Sequence, residues 1–181
     1  MFRNIMPKTI AMRAYLIITA VVTVLMAVIG YMYAEEKRQH IFLSQERKLT
    51  EIVTVLAQKL NSDGLMTRYE QAATTTDEAV RQATRASLQS VVEEVGQQYP
   101  GFVMGYSLRD SRLAAYPYRP DVLMSPMPSN IEVAYREKRT LFLSNDFKSQ
   151  YWNEPAMTIT YPILKDGKPF AHIWSRSLWP E

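Results

Sequence analysis

Apolar positions are spread unevenly along this chain, and their spacing changes character several times. From Ala14 to Ala34 run 21 residues without a charge, AYLIITAVVTVLMAVIGYMYA, bounded by Arg13 and Glu35. A helix of that length covers about 31 Å, which matches the hydrocarbon core of a bilayer. Tyr15 at one end and Tyr31 and Tyr33 at the other fall where interfacial aromatic belts form. A buried core helix is the plain alternative, but such helices seldom run so long without a polar face. A cleaved signal peptide is the nearer one, with Arg3, Lys8 and Arg13 as its basic end. Its usual apolar core of about 7–15 residues is exceeded, and Met32 and Ala34 make a poor small-x-small cleavage site. The pattern predicts a retained transmembrane helix.

No breaker follows, so the helix is expected to continue through residues 35–62. Leu49, Ile52, Val53, Leu56 and Leu60 recur at helical spacing, with Phe42 seven residues ahead of Leu49. Asn61-Ser62-Asp63-Gly64 ends it, glycine supplying the left-handed terminator. This narrow apolar stripe suits either the sheet or a second copy of the chain. Residues 65–74 are left open between a short helix and a loop. A second helix is predicted from Thr75, where Thr75-x-x-Glu78 forms a capping box, to Tyr99-Pro100-Gly101. Val80, Ala83, Ser87, Leu88, Val91, Val92 and Val95 make its apolar face.

After Gly101 the period shortens. Residues 102–107 and 113–118 read as strands joined through Arg109-Asp110-Ser111-Arg112, with Pro117 and Pro120 ending the second. A proline-containing loop leads to a short helix capped by Ser129-x-x-Glu132 and running to about Lys138. Residues 140–144 form a short strand, and 145–154 a polar and aromatic loop. The last hairpin, 157–164 and 169–177, turns at Lys165-Asp166-Gly167-Lys168, a type I′ signal. A simple two-residue turn sets Ile163 opposite Phe170, Tyr161 opposite His172, Ile159 opposite Trp174 and Met157 opposite Arg176, all on one side. The other side carries Thr158, Thr160, Ala171, Ile173 and Ser175. Small residues admit a close helix, so that side is assigned to the N-terminal helices and the bulky side to the loops and short helix.

Charge decides orientation. Residues 1–13 hold Arg3, Lys8 and Arg13 and no acid, whereas Glu35-Glu36-Lys37-Arg38 cancels. The N-terminus is therefore expected in the cytoplasm and the bulk of the chain outside it. Removing those three from the 21 Lys and Arg leaves 18 against 18 Asp and Glu. The basic pI thus reports topology, and a nucleic-acid partner loses its electrostatic basis. The absence of cysteine excludes disulfides, thiolate catalysis and cysteine zinc sites.

Three segments carry a resemblance: Tyr99-Pro-Gly-Phe-Val-Met-Gly-Tyr-Ser-Leu-Arg, Leu113-Ala-Ala-Tyr, and Tyr161-Pro-Ile-Leu-Lys-Asp-Gly-Lys-Pro-Phe-Ala-His-Ile-Trp. In type and order they resemble the extracytoplasmic sensor region of bacterial membrane histidine kinases, over roughly residues 14–181. The resemblance implies a PAS-like or Cache-like domain that senses a ligand as a dimer between two membrane helices. The chain departs from such kinases in having no phosphoacceptor segment, no ATP-binding boxes and no second span, which reads as a fragment or a stand-alone relative.

The expected fold class is therefore α+β: an N-terminal transmembrane helix continuing into a long helix, then a PAS/Cache-like antiparallel sheet with flanking helices. Its divisions are a cytoplasmic tail (1–13), the transmembrane helix (14–34), membrane-proximal helices (35–98) and the sensor sheet (99–181). Tyr161, His172, Trp174 and Arg176 form the most suggestive constellation: aromatic walls with one fixed cation suit a small organic anion. The plainer reading makes the aromatics core and lets Arg176 reach toward water. Tyr106, Arg109, Tyr116 and Arg119 lie on or beside the first hairpin, near where PAS-like pockets open, and Asp146, Tyr151 and Trp152 sit in a loop able to cover one. With two His and no Cys, neither a metal site nor a catalytic triad is credible, and no cofactor is expected. The expected partners are a small-molecule ligand, the lipid bilayer and a second copy through the long helix. A signal-sensing module leads; an envelope scaffold protein and a chemoreceptor sensor region remain alternatives.

Overall fold

The computed structural model describes residues 5–62, 64–109, 111–120, 123, 131–144 and 156–178. They fall into two compact units, residues 1–44 and 45–181.

Helix α1 is assigned from Ile5 to Ser62. In the first unit it holds one stretch long and apolar enough to cross a membrane, with none of that window buried in the protein. Its large apolar side chains from Ile10 to Tyr33 are 50–71% exposed. The hydroxyls of Thr19 and Thr23 donate back to the carbonyls of Tyr15 and Thr19, at 2.9 and 2.8 Å, so neither needs water as a partner.

In the second unit, α1 buries Leu49, Ile52, Val53, Leu56 and Leu60, the stripe read from spacing. Gly64 at φ 65° closes the helix, and residues 65–74 are a helix, α2 (Leu65–Thr74). Its buried Leu65, Tyr69 and Ala72 lie on one helical face. Helix α3 (Glu78–Gln98) is capped by Asp77, whose carboxylate accepts from the Ala79 amide at 2.9 Å. The expected capping box is therefore displaced: Thr75 instead accepts from the Asp77 amide. Its buried face holds Thr84, not Ala83, because Thr84 packs beside α2 and donates to Val80 O at 2.9 Å.

The sheet comprises β1 (Phe102–Leu108), β2 (Arg112–Tyr116), β3 (Leu141–Ser144), β4 (Ala156–Lys165) and β5 (Lys168–Leu178), in the antiparallel order β2-β1-β5-β4-β3. A short helix, α4 (Ile131–Glu137), precedes β3. Arg112, expected in a turn, begins β2 and is 7% exposed.

The last hairpin departs from its expected register. Lys165 pairs with Lys168 and Leu164 with Pro169, as a two-residue turn requires, but Ile163 pairs with Ala171. Phe170 is the extra residue of a β-bulge, and every pair beyond it slips by one. Thr160 therefore lies opposite Trp174, Thr158 opposite Arg176 and Pro162 opposite His172. A one-residue slip exchanges the faces of one strand against the other. Ala171, Ile173 and Ser175 do face α1–α3, but they share that side with Met157, Ile159, Tyr161 and Ile163. Thr158 and Thr160 lie on the opposite face, with Trp174.

Candidate ligand-binding face

Three cross-strand rows build the face opposite α1–α3. The first is Arg112, Ser107, His172 and Pro162; the second Ala115, Gly105, Trp174, Thr160 and Leu141; the third Val103, Arg176, Thr158 and Leu143. Helix α4 covers the first row: the Tyr135 hydroxyl lies 2.7 Å from His172 Nδ1, ring on ring edge-to-face.

His172 is fully buried, and its Nε2 has no hydrogen-bond partner among the described residues. Burial, reinforced by the Arg112 charge, lowers its pKa to about 3, so the imidazole is neutral. Arg112 and Arg176 are 7% and 5% exposed. Two guanidiniums thus lie withdrawn from solvent on one sheet face, with a neutral imidazole in the row of one of them.

Trp174 donates from Nε1 to Ser107 Oγ at 3.0 Å. Its ring crosses Gly105 so closely that a β-carbon there would lie 2.8 Å from Cζ2. Trp174 also packs with Val103, Ala115 and Leu123.

The expected constellation is divided by the sheet. His172, Trp174 and Arg176 share one face, and Tyr161 lies on the other, because the Phe170 bulge shifted its strand. Tyr106 also faces the helices, fully buried, its hydroxyl donating to Leu56 O at 2.7 Å. Tyr116 packs its ring on Gly96 of α3, where a β-carbon would lie 2.2 Å away. Arg109 sits at the surface, paired with Glu132 at 2.7 Å and over the Tyr135 ring. The exposed carboxylate raises its pKa through that hydrogen bond. Asp146, Tyr151 and Trp152 lie outside the described residues.

Reasoning from sequence missed Arg112, Ser107, Tyr135 and Tyr69. Tyr69 donates to Ser107 O at 2.6 Å and to His172 O at 3.3 Å, from the helix side of the same row. Leu65, Tyr69 and Ala72, spaced four and three apart, carried the signal for α2.

A family model, the AtoS N-terminal domain, matches residues 11–180. The chain belongs to that family. Its function is accordingly that of a ligand-sensing domain of a signalling receptor, and membership fits a chain that is not itself an enzyme. The sheet with flanking helices is the PAS/Cache-like arrangement expected from the resemblance. No curated protein matches by sequence. Among solved structures, the chain is similar to the E. coli DcuS sensor domain at 12% identity, over 64% of this chain and 89% of that one, with TM-score 0.37. It is similar to the ligand-binding domain of the Pseudomonas aeruginosa amino acid chemoreceptor PctC, in complex with GABA, at 18% identity over 75% and 64% (TM-score 0.37). A type II free methionine-R-sulfoxide reductase from Thermoplasma acidophilum is similar at 12% identity over 54% and 75% (TM-score 0.44).

Proposed function

We propose that this AtoS N-terminal domain is the extracytoplasmic sensor of a membrane-anchored two-component receptor, and that it binds a small organic anion on the Arg112–His172–Arg176 face. The observation that carries this reading is the buried Nε2 of His172, without a partner among the described residues, on a face that also holds two withdrawn guanidiniums. A buried polar atom without a partner is costly, and a bound ligand would satisfy it. If the Tyr135 hydroxyl donates to Nδ1, the proton sits on Nε2, which then offers a hydrogen bond to a carboxylate oxygen.

The apolar stretch of α1 supports the anchor, and the charge asymmetry around residues 14–34 supports a cytoplasmic N-terminus. On this reading the chain works as a homodimer through its long helix. A ligand biases one packing of sheet on helix by its differential affinity, and the helix carries the shift inward.

Packing of Trp174 with Val103, Ala115 and Leu123 favours a second reading, in which the face is filled and the chain is an envelope scaffold. Calorimetric titration of the full chain in lipid nanodiscs with small dicarboxylates separates the two. The sensor reading predicts saturable binding weakened at least tenfold by Arg176→Gln. Absence of binding by every dicarboxylate, or equal binding by the variant, refutes it.

A further inference from the structure

The slipped register leaves Tyr161 somewhere more informative than the face it was expected to join. Strand β3 covers β4 only from Met157 to Thr160, so among the described residues β4 has no strand neighbour on its outer side from Tyr161 onward. Beside that open stretch lies a cleft of about 600 Å³, within the size range of small-molecule sites. Leu60 of α1, Met66 of α2, Tyr161 and Leu164 of β4, and Lys138 and Arg139 from the α4–β3 turn line it. The whole cleft belongs to the second unit, at the outer edge of β4, and neither His172 nor Arg176 lines it.

Its lining is unusual for this unit. Of the described residues after Ser44, only Tyr118, Tyr161 and Leu164 are large, apolar and exposed, and two of the three meet here. At its rim Arg139 is paired with Glu137 at 2.6 Å. Lys165, nearby in β4, is paired with Glu70. Lys138 has no acidic partner among the described residues, and it is held at φ 52°, a left-handed conformation uncommon outside glycine. The cleft therefore joins an exposed apolar wall to an ammonium that has no acidic partner among the described residues.

Pro162 argues against a peptide strand as occupant. Proline has no N–H to give β5, so its nitrogen must face the open edge, where a docking strand would find a donor missing. We infer that this cleft is a second, independent binding site, for a small amphipathic anion whose carboxylate meets Lys138 and whose alkyl or aryl part covers Leu164, Tyr161 and Met66.

The test uses the full chain in lipid nanodiscs with ¹³C-methyl methionine, Met66 being assigned by Met66→Leu, and hexanoate as the probe. A saturable shift of the Met66 resonance is expected, with affinity about tenfold weaker in Lys138→Gln and unchanged in Arg176→Gln. Hexylamine should leave the resonance in place. No shift with hexanoate, equal affinity in Lys138→Gln, or the same shift with hexylamine would each overturn the site. Loss of the shift in Arg176→Gln would overturn its independence from the Arg112–His172–Arg176 face.

Discussion

Tyr69 and His172 are tied across the sheet: the Tyr69 hydroxyl, on the helix side, donates to the His172 carbonyl, while the His172 ring meets Tyr135 on the far side. The same hydroxyl donates to Ser107 O, whose side chain accepts from Trp174. Burial raises the Tyr69 pKa well above its ordinary value, so this proton stays in place. A ligand that moves His172 or Ser107 therefore pulls on α2 through this shared hydroxyl, most directly at Ser107 O.

Tyr69→Phe removes the one proton that these two buried carbonyls share from the helix side. Urea melts followed by tryptophan fluorescence should show a loss of about 1–3 kcal/mol. Hydrogen exchange should quicken at the β5 amides around His172. Unchanged stability would mean that the tie is incidental.

Gly105→Ala places a methyl 2.2 Å from the Ala114 carbonyl oxygen and 2.8 Å from the Trp174 ring. The first neighbour is backbone in a paired strand and cannot step aside, so the indole or the strand must move. A destabilisation of about 1–3 kcal/mol is expected. In a Trp152→Phe, Trp179→Phe background, Trp174 emission should shift to the red. Wild-type stability and emission would show that the two strands separate freely there.

Acid should weaken the fold through His172. Its pKa is about 3 in the folded chain against an ordinary 6.5, so the folded state holds it neutral and the unfolded state binds the proton first. The stability this supports is complete above pH 6.5 and falls as the pH drops toward 3, by on the order of 1 kcal/mol per unit. His172→Gln should flatten the dependence over that window in denaturation series. An equal slope in the variant would assign acid lability to other groups.

The hairpin shows where the sequence was legible and where it was not. Asp166 at φ 51° and Gly167 at φ 70° both take the left-handed conformations of a type I′ turn, which is why Asp-Gly located it. The bulge at Phe170 left no mark in the alternation, because its cause is tertiary: the ring packs edge-on against Tyr69 at 5.8 Å. That single extra residue moved Tyr161 off the face of Trp174.

Spacing read the α1 stripe well, since Leu49 to Leu60 repeat every three or four residues and all are buried. It failed for Arg112, a charged residue beside a turn that nonetheless lies within the sheet. Long aliphatic stems let arginine occupy such positions, so its charge is a poor guide to exposure.

Sensing from outside the cytoplasm requires the second unit to lie across the bilayer from residues 1–13. The chain has no cysteine, so Lys168→Cys in the exposed last turn provides a single reactive thiol. A membrane-impermeant maleimide should label that thiol in intact cells as fully as in permeabilised ones. Labelling only after permeabilisation would place the unit on the cytoplasmic side and contradict the account.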